Sequence, residues 1–330
     1  MGATSTQTRP PPATFACDQC GASLVFDGVR TGTCPYCASP NFVERPPSAH
    51  RPDPMFVIPF TGDAASARGV LARWLGRRRL FADAALRRGT VLDIRGVYVP
   101  AYLYSAVART EYTASIGEQY TETETVRRPA PVQRGRRVLP VLRGRRVVDA
   151  TERVETRTVV RTEYRPLAGR HVGYVTDLLV TASAGLASAE LGRIEPFDMR
   201  RLHRFAPALI SGWITEEFSR TADDCRRASR SEAIDEVGAR LRAFMPGDSH
   251  SDLAWRTTVE WESLDPVLVP VWVFAVRYRP DRPLLRVLIN GQTARITGKP
   301  PLVWWKIAIA LVVLAALIAA FVLVVREPPP

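Results

Sequence analysis

The chain has 330 residues, enough to bury a sizeable core in one large or two smaller units. Its formal net charge of +12 raises nucleic acid and anionic lipid as partner classes, yet Lys299 and Lys306 are the only lysines among 45 basic residues. Beside abundant Ala, Val, Pro and Gly, that bias reflects GC-rich coding rather than selection for phosphate forks. The charge by itself selects no partner.

Residues 1–14 form a Thr- and Pro-rich lead-in read as disordered. It has no apolar h-region, so it is not a secretory signal, and the match of Met1-Gly2 and Thr6 to a myristoylation pattern is only formal.

A zinc ribbon is expected over 15–45. Cys17-Asp18-Gln19-Cys20 and Cys34-Pro35-Tyr36-Cys37 are two C-x-x-C pairs thirteen residues apart. Each pair can wrap one face of a metal ion, and a hairpin between them brings the faces together. Four thiolates, Cys17, Cys20, Cys34 and Cys37, suit tetrahedral Zn²⁺ and leave no open position, so the expected site is structural. Gly21 supplies the left-handed backbone that follows the first knuckle, whereas Ala38 occupies that place in the second. Disulfides or a redox C-x-x-C are the competing readings. The first conflicts with the topology expected below, and the second lacks a βαβ context. From Phe15 to Arg45 the net charge is −1, so the ribbon lacks the cations that phosphate neutralisation requires, and a protein partner is expected of it instead.

A Pro-rich linker (46–54) leads to an α+β body (55–300) with antiparallel sheets. Met55–Phe60 reads as a strand and Asp63–Arg79 as a helix; Val91–Ala108 and Glu111–Val180 read as strand-rich. An amphipathic helix is expected over Thr215–Met245, capped by Thr215 with Glu216 and Glu217 in its first turn. Cys225 lies on its apolar stripe and reads as core. Strands follow at Trp255–Trp261, Val267–Tyr278 and Leu284–Ile296, the last folded at Asn290-Gly291, a type I′ hairpin signal. Val97–Tyr104 and Val267–Phe274 share a V-x-V-P pattern, which suggests duplicated half-sheets with Pro100 and Pro270 at edges or bulges.

Between Val126 and Arg170 there are thirteen arginines and four acids, a segment suited to anionic lipid or nucleic acid. The uncharged run Ile307–Val325, preceded by Trp304, Trp305 and Lys306, predicts a transmembrane helix over 301–326 and a short tail at 327–330. Positive-inside bias then makes this a single-pass, tail-anchored protein of the cell membrane with a cytoplasmic body.

No nucleophile elbow, H-E-x-x-H or P-loop is present, and the histidines are scattered, so no catalytic residues are assigned. The chain resembles the bacterial TFIIB-type zinc-ribbon-containing proteins, often labelled primosomal protein N-prime or replication factor Y-like. The resemblance rests on the double knuckle, on Gly96–Pro100, Val175–Ser183 and Glu195–Asp198, and on Val269–Trp272 and Val287–Thr293. It implies a zinc ribbon joined to an α+β body, with no activity attached. The resulting expectation is a non-enzymatic, membrane-anchored adaptor or scaffold. The alternative is a membrane-tethered nucleic-acid-binding protein using residues 126–170.

Overall fold

The apolar runs around Val97–Tyr104 and Val267–Phe274 form neighbouring strands at the centre of one large sheet. The computed structural model describes residues 14–25, 33–40, 42–45, 52–77, 80–129 and 152–326. In chain order the elements begin with β1 (Thr14–Cys17), β2 (Ser23–Val25), β3 (Phe42–Arg45), β4 (Phe56–Val57) and α1 (Ala64–Gly76). Next come β5 (Thr90–Pro129), β6 (Glu152–Thr181), α2 (Ser188–Gly192), β7 (His203–Arg204), α3 (Pro207–Ile210) and β8 (Ile214–Glu216). The chain continues with α4 (Ala222–Phe244), β9 (Ser249–Arg277), β10 (Leu285–Asn290), β11 (Ile296–Gly298) and α5 (Trp304–Arg326).

The chain divides into two units. One comprises Met1–Ala106, Tyr174–Ala233 and Trp261–Pro330; the other comprises Val107–Gly173 and Ile234–Glu260. In the first, the sheet runs in the order β11-β10-β9-β5-β8-β2-β1-β3, with β4, β6 and β7 beside that path. The body is therefore sheet-dominated and its sheet is mixed, not antiparallel as expected: β4 pairs parallel with β9, and β5 parallel with β8. Nor are there two half-sheets with prolines at their edges. Pro100 and Pro270 are buried in central strands. The missing N–H is tolerated because each proline sits where its strand changes partner. β9 pairs with β4 through Leu268 and with β10 from Val271, so Pro270 falls between the two ladders. Likewise β5 pairs with β8 through Tyr98, and the Pro100 carbonyl then accepts from the Ala182 N–H (2.9 Å).

Helix α1 starts as its sequence dictates. The Asp63 carboxylate accepts from the Ser66 N–H at 2.8 Å, and Ala67, Leu71, Trp74 and Leu75 fall on one buried face. Helix α4 starts seven residues later than expected. Thr215 and Glu216 belong to β8, and Thr221 takes the cap, its hydroxyl accepting from the Asp224 N–H (3.2 Å). Cys225 is fully buried, with its thiol 3.7 Å from the Thr181 carbonyl.

The hairpin β10–β11 forms, but not through a two-residue turn at Asn290-Gly291. Ile289 pairs with Ile296, and the connection closes through the Asn290 N–H to the Arg295 carbonyl (2.8 Å), with Ala294 left-handed at φ 58°. Asn290 is buried because its side chain has four partners. Its Oδ1 accepts from the N–H groups of Gln292 (2.8 Å) and Thr293 (3.0 Å), and its Nδ2 donates to the carbonyls of Ile194 (2.9 Å) and Pro196 (3.2 Å).

The second unit holds the outer parts of β5, β6 and β9 and the C-terminal half of α4. Inside it Thr110 and Thr257 bond across strands at 2.9 Å, and the Arg242 guanidinium lies 4.9 Å from the Trp255 ring centre.

The expected transmembrane anchor is overturned. Among the described residues, no helix is long and apolar enough to cross a membrane. α5 (Trp304–Arg326) forms a helix, as the apolar run suggests, but it does not meet that requirement over its described residues. The Lys306 Nζ donates to the Ala82 carbonyl at 3.1 Å. The tail-anchored, single-pass and cell-membrane readings fall with the anchor, as does the orientation derived from it.

Replacing Asn290 by Ala should destabilise the first unit by on the order of 3 kcal/mol, because two buried carbonyls and two turn amides lose their partner. Urea unfolding should show a lower midpoint at unchanged slope; an unchanged midpoint would show that solvent satisfies these groups.

Candidate metal centre

Strands β1, β2 and β3 form a small antiparallel sheet with β1 in the middle, Phe15 pairing with Leu24 on one side and Glu44 on the other. These strands carry the first knuckle at the end of β1. The Cys17 carbonyl accepts from the Gly21 N–H (2.9 Å), and the Cys17 N–H donates to the Ala22 carbonyl (2.9 Å). The second knuckle repeats this pattern residue for residue: Ala38 N–H to Cys34 carbonyl (2.8 Å), and Cys34 N–H to Ser39 carbonyl (2.7 Å). Gly21 and Ala38 are both left-handed, at φ 73° and 58°. At Gly21 the missing Cβ makes that conformation easy; at Ala38 it is strained.

All four predicted cysteines come together. Their sulfurs lie within 4.8 Å of one another, in an arrangement that could hold a metal ion. Across the knuckles, Cys17 Sγ is 3.5 Å from Cys37 Sγ, and Cys20 Sγ is 3.6 Å from Cys34 Sγ. A tetrahedral ion with metal–sulfur bonds near 2.3 Å needs sulfur–sulfur edges of about 3.8 Å. Those two edges lie within a few tenths of an ångström of that value. Cys17 and Cys34 are buried, Cys20 and Cys37 partly so, and all are free thiols. The hydrogen bond with the neighbouring Cys34 lowers the Cys20 pKa to about 5, while that bond and burial raise Cys34. Burial pushes Cys37 up to about 11. Among the described residues no other group of three or more His, Cys, Asp and Glu side chains is placed to hold a metal.

These strands join the body's sheet through β2. Leu24 and Val25 pair antiparallel with Glu216 and Thr215, and the Glu217 N–H donates to the Ser23 carbonyl (2.8 Å). Behind this seam lies a buried polar network. The Glu216 carboxylate, 1% exposed, accepts from the Tyr36 hydroxyl (2.6 Å), the Ser183 hydroxyl (2.6 Å) and the Gly185 N–H (3.1 Å). The Ser183 hydroxyl in turn accepts from the Leu186 N–H (2.7 Å). Burial raises the carboxyl of Glu216, and the three donors oppose that rise. Burial and the adjacent Glu216 also push the Tyr36 phenol well above its usual range. Alongside, the Thr14 hydroxyl donates to the buried Glu217 carboxylate at 2.7 Å. The Arg286 guanidinium lies 5.7 Å from the Tyr36 ring centre and donates to the Gly185 carbonyl (2.7 Å). Gly185 must be glycine here, since a Cβ would stand 2.7 Å from the Tyr36 ring and 2.9 Å from Ala22.

Sequence reasoning did not find Glu216, Tyr36 or Ser183 as one site. Glu216 was assigned to a helix N-terminus, and Tyr36 was one of several aromatics around the knuckles. The available signal was the V-T-A-S-A-G run at 180–185, whose serine and glycine surround the carboxylate. The other acids of the resembling motifs also have structural roles. Asp198 caps a short turn through the Arg200 N–H (3.2 Å), and Asp177 sits left-handed in β6 at φ 62°.

Residues 130–151, the heart of the basic segment, lie outside the described residues. Several arginines of its described part have acidic partners. Arg161 pairs with Glu122 (2.7 Å) and Glu124, Arg165 with Glu163 (3.1 Å), and Arg170 with Glu111 (3.2 Å).

No family model matches the chain, and no solved structure matches it. It is similar to the uncharacterized protein YdjG of Bacillus subtilis, with 21% identity over 259 residues. The alignment covers 77% of this chain and 66% of that protein, so the chain spans a little under two thirds of its relative's length.

Proposed function

We propose that the four cysteines hold a structural zinc ion and that the protein is a non-catalytic adaptor or scaffold of the TFIIB-type zinc-ribbon class. The observation that carries this reading is the closed four-thiol set beside three strands that join the body's sheet at β8. All four ligands come from the protein, which leaves no coordination position for a substrate or an activated water. The donors are thiols alone, which suits zinc. The thiols acting alone favour a thiolate at Cys20 and work against one at Cys34 and Cys37. A divalent cation supplies the charge that holds all four as thiolates, so binding energy becomes folding energy. The ribbon's outward face, with Asp18 and Gln19 exposed and no surplus of cations, then serves a protein partner.

The nucleic-acid alternative draws on residues 126–170. The ion pairs of Arg161, Arg165 and Arg170 count against it, because an arginine already matched by a glutamate releases fewer counterions on meeting a phosphate.

Purified protein should contain one zinc per chain by elemental analysis, and Cys17→Ser with Cys20→Ser should abolish it. A chain that folds with its thiols intact and no metal would overturn the assignment. For the adaptor reading, proteins co-isolated with the wild type should survive nuclease and disappear with the double Ser variant; recovery that depends on nucleic acid would defeat it.

The knuckle strain makes a separate prediction. Ala38→Gly should stabilise the metal-bound protein by roughly 0.5–1 kcal/mol, and Gly21→Ala should destabilise it by a similar amount. Thermal unfolding checks both, and shifts of the same sign would contradict the matched geometry of the knuckles.

A further inference from the structure

In the first unit a second group of polar side chains surrounds the 3₁₀ turn Ala84–Arg88, far in sequence from the cysteines. Leu86, 1% exposed, anchors the turn, and the Asp83 carboxylate caps it by accepting from the Ala85 N–H at 2.9 Å. Two adjoining clefts open on it. One, of about 430 Å³, is lined by Arg77, Arg87 and Lys306; the other, of about 630 Å³, by Arg87, Arg88, Tyr278 and Arg279. Asp83, Ala84 and Arg87 belong to both.

The charge there is one-sided. Five cations, Arg77, Arg87, Arg88, Arg279 and Lys306, face a single carboxylate, Asp83. That carboxylate is committed already. It pairs with Arg279 Nε at 2.7 Å while holding the turn's amide. Lys306 is fixed by its bond to the Ala82 carbonyl at 3.1 Å. Arg279 and Lys306 are thus positioned before any ligand arrives, which reduces the ordering that binding requires. Arg77, Arg87 and Arg88 are exposed and make no ion pair among the described residues. Guanidinium forks match phosphate oxygens in pairs, and each such bond is charge-assisted. The cavities are larger than one phosphate needs, and cations stand on both sides of the shared wall. A ligand bearing two or more phosphates therefore fits the charge and the room.

We propose that this double cleft binds a small, multiply phosphorylated ligand, with Arg87 and Arg88 as the main phosphate forks and Arg77, Arg279 and Lys306 completing the site. A soluble polyphosphate and a phosphorylated lipid headgroup present the same chemistry, so both sources enter the test. Full-length protein would be titrated at physiological salt with pyrophosphate and with inositol hexakisphosphate. It would also be floated with phosphatidylcholine vesicles with and without phosphatidylinositol bisphosphate. The expected result is saturable binding that falls about tenfold or more in Arg87→Gln/Arg88→Gln. It should remain unchanged in Arg226→Gln/Arg227→Gln, which removes the same formal charge from ion-paired positions on α4. Binding to the phosphoinositide vesicles but not to the soluble probes would support the site and identify the source as a headgroup. No saturable binding to any probe overturns the proposal. So does equal weakening by the two variants, which would show that net charge alone attracts the anion. Arg87→Gln/Arg88→Gln replaces exposed side chains and should keep the wild-type melting temperature. If Arg87→Gln/Arg88→Gln unfolds, Lys306→Gln provides the same comparison from the other cleft.

Discussion

A carboxylate buried without partners is prohibitively unfavourable, and Glu216 escapes that penalty only through three donors. Its donors come from two separate stretches of chain: Tyr36 lies between the cysteines of the second knuckle, and Ser183 and Gly185 lie in the turn after β6. Burying Glu216 therefore requires both stretches in place at once. The knuckle holds Tyr36, Tyr36 satisfies Glu216, and Glu216 lies on the strand that joins β2 to the body's sheet. The four-cysteine site is thus a fastening inside the fold. The ribbon is the outer part of the same sheet, and what fixes its sulfurs also fixes the seam at β8.

The sheet prepares that seam from the other side. β8 lies parallel to β5 over Val97 and Tyr98, immediately before Pro100 turns the strand's bonding towards Ala182. Ala182 precedes Ser183, so the change of partner at Pro100 brings the serine and the carboxylate together. β9 shows a similar handover at Pro270, between β4 and β10, and there the carbonyl accepts from the Gly291 N–H at 2.9 Å, next to Asn290. In both places a proline marks the end of one ladder and a buried polar side chain stands close beyond it. The V-x-V-P pattern has this physical content: it places strand switches beside buried polar clamps.

How far the sequence revealed this depends on the range of the interactions. The four cysteines were legible because metal-ligand spacing is a local signal, and so was the Asp63 cap of α1, whose partner is three residues away. Cys225 was legible from helical periodicity. Glu216 was not, because its partners are distant in the chain, 180 residues away at Tyr36. Locally Thr215-Glu216-Glu217 is an excellent helix start, and tertiary pairing overrode that preference while Thr221 supplied the cap. Asn290-Gly291 marked a hairpin correctly but not its turn, since the Asn290 side chain is claimed by Ile194 and Pro196. The apolar run after Trp305 was over-read: continuity of composition predicted a span that no described helix provides. The cleft around Asp83 was invisible because its cations come from Arg77, from the turn at 84–88, and from Arg279 and Lys306.

The central claim, that the four-cysteine site and the body's sheet form one cooperative structure, is tested most directly by amide hydrogen exchange with and without the proposed zinc, removed by a chelator. If the account holds, removal deprotects β8 and the Ser183–Leu186 turn together with residues 14–25, 33–40 and 42–45, because Glu216 loses Tyr36 when the knuckle opens. Loss of protection confined to the ribbon, with β8 and Ser183–Leu186 unchanged, would show that the sheet stands without the metal and would contradict the account.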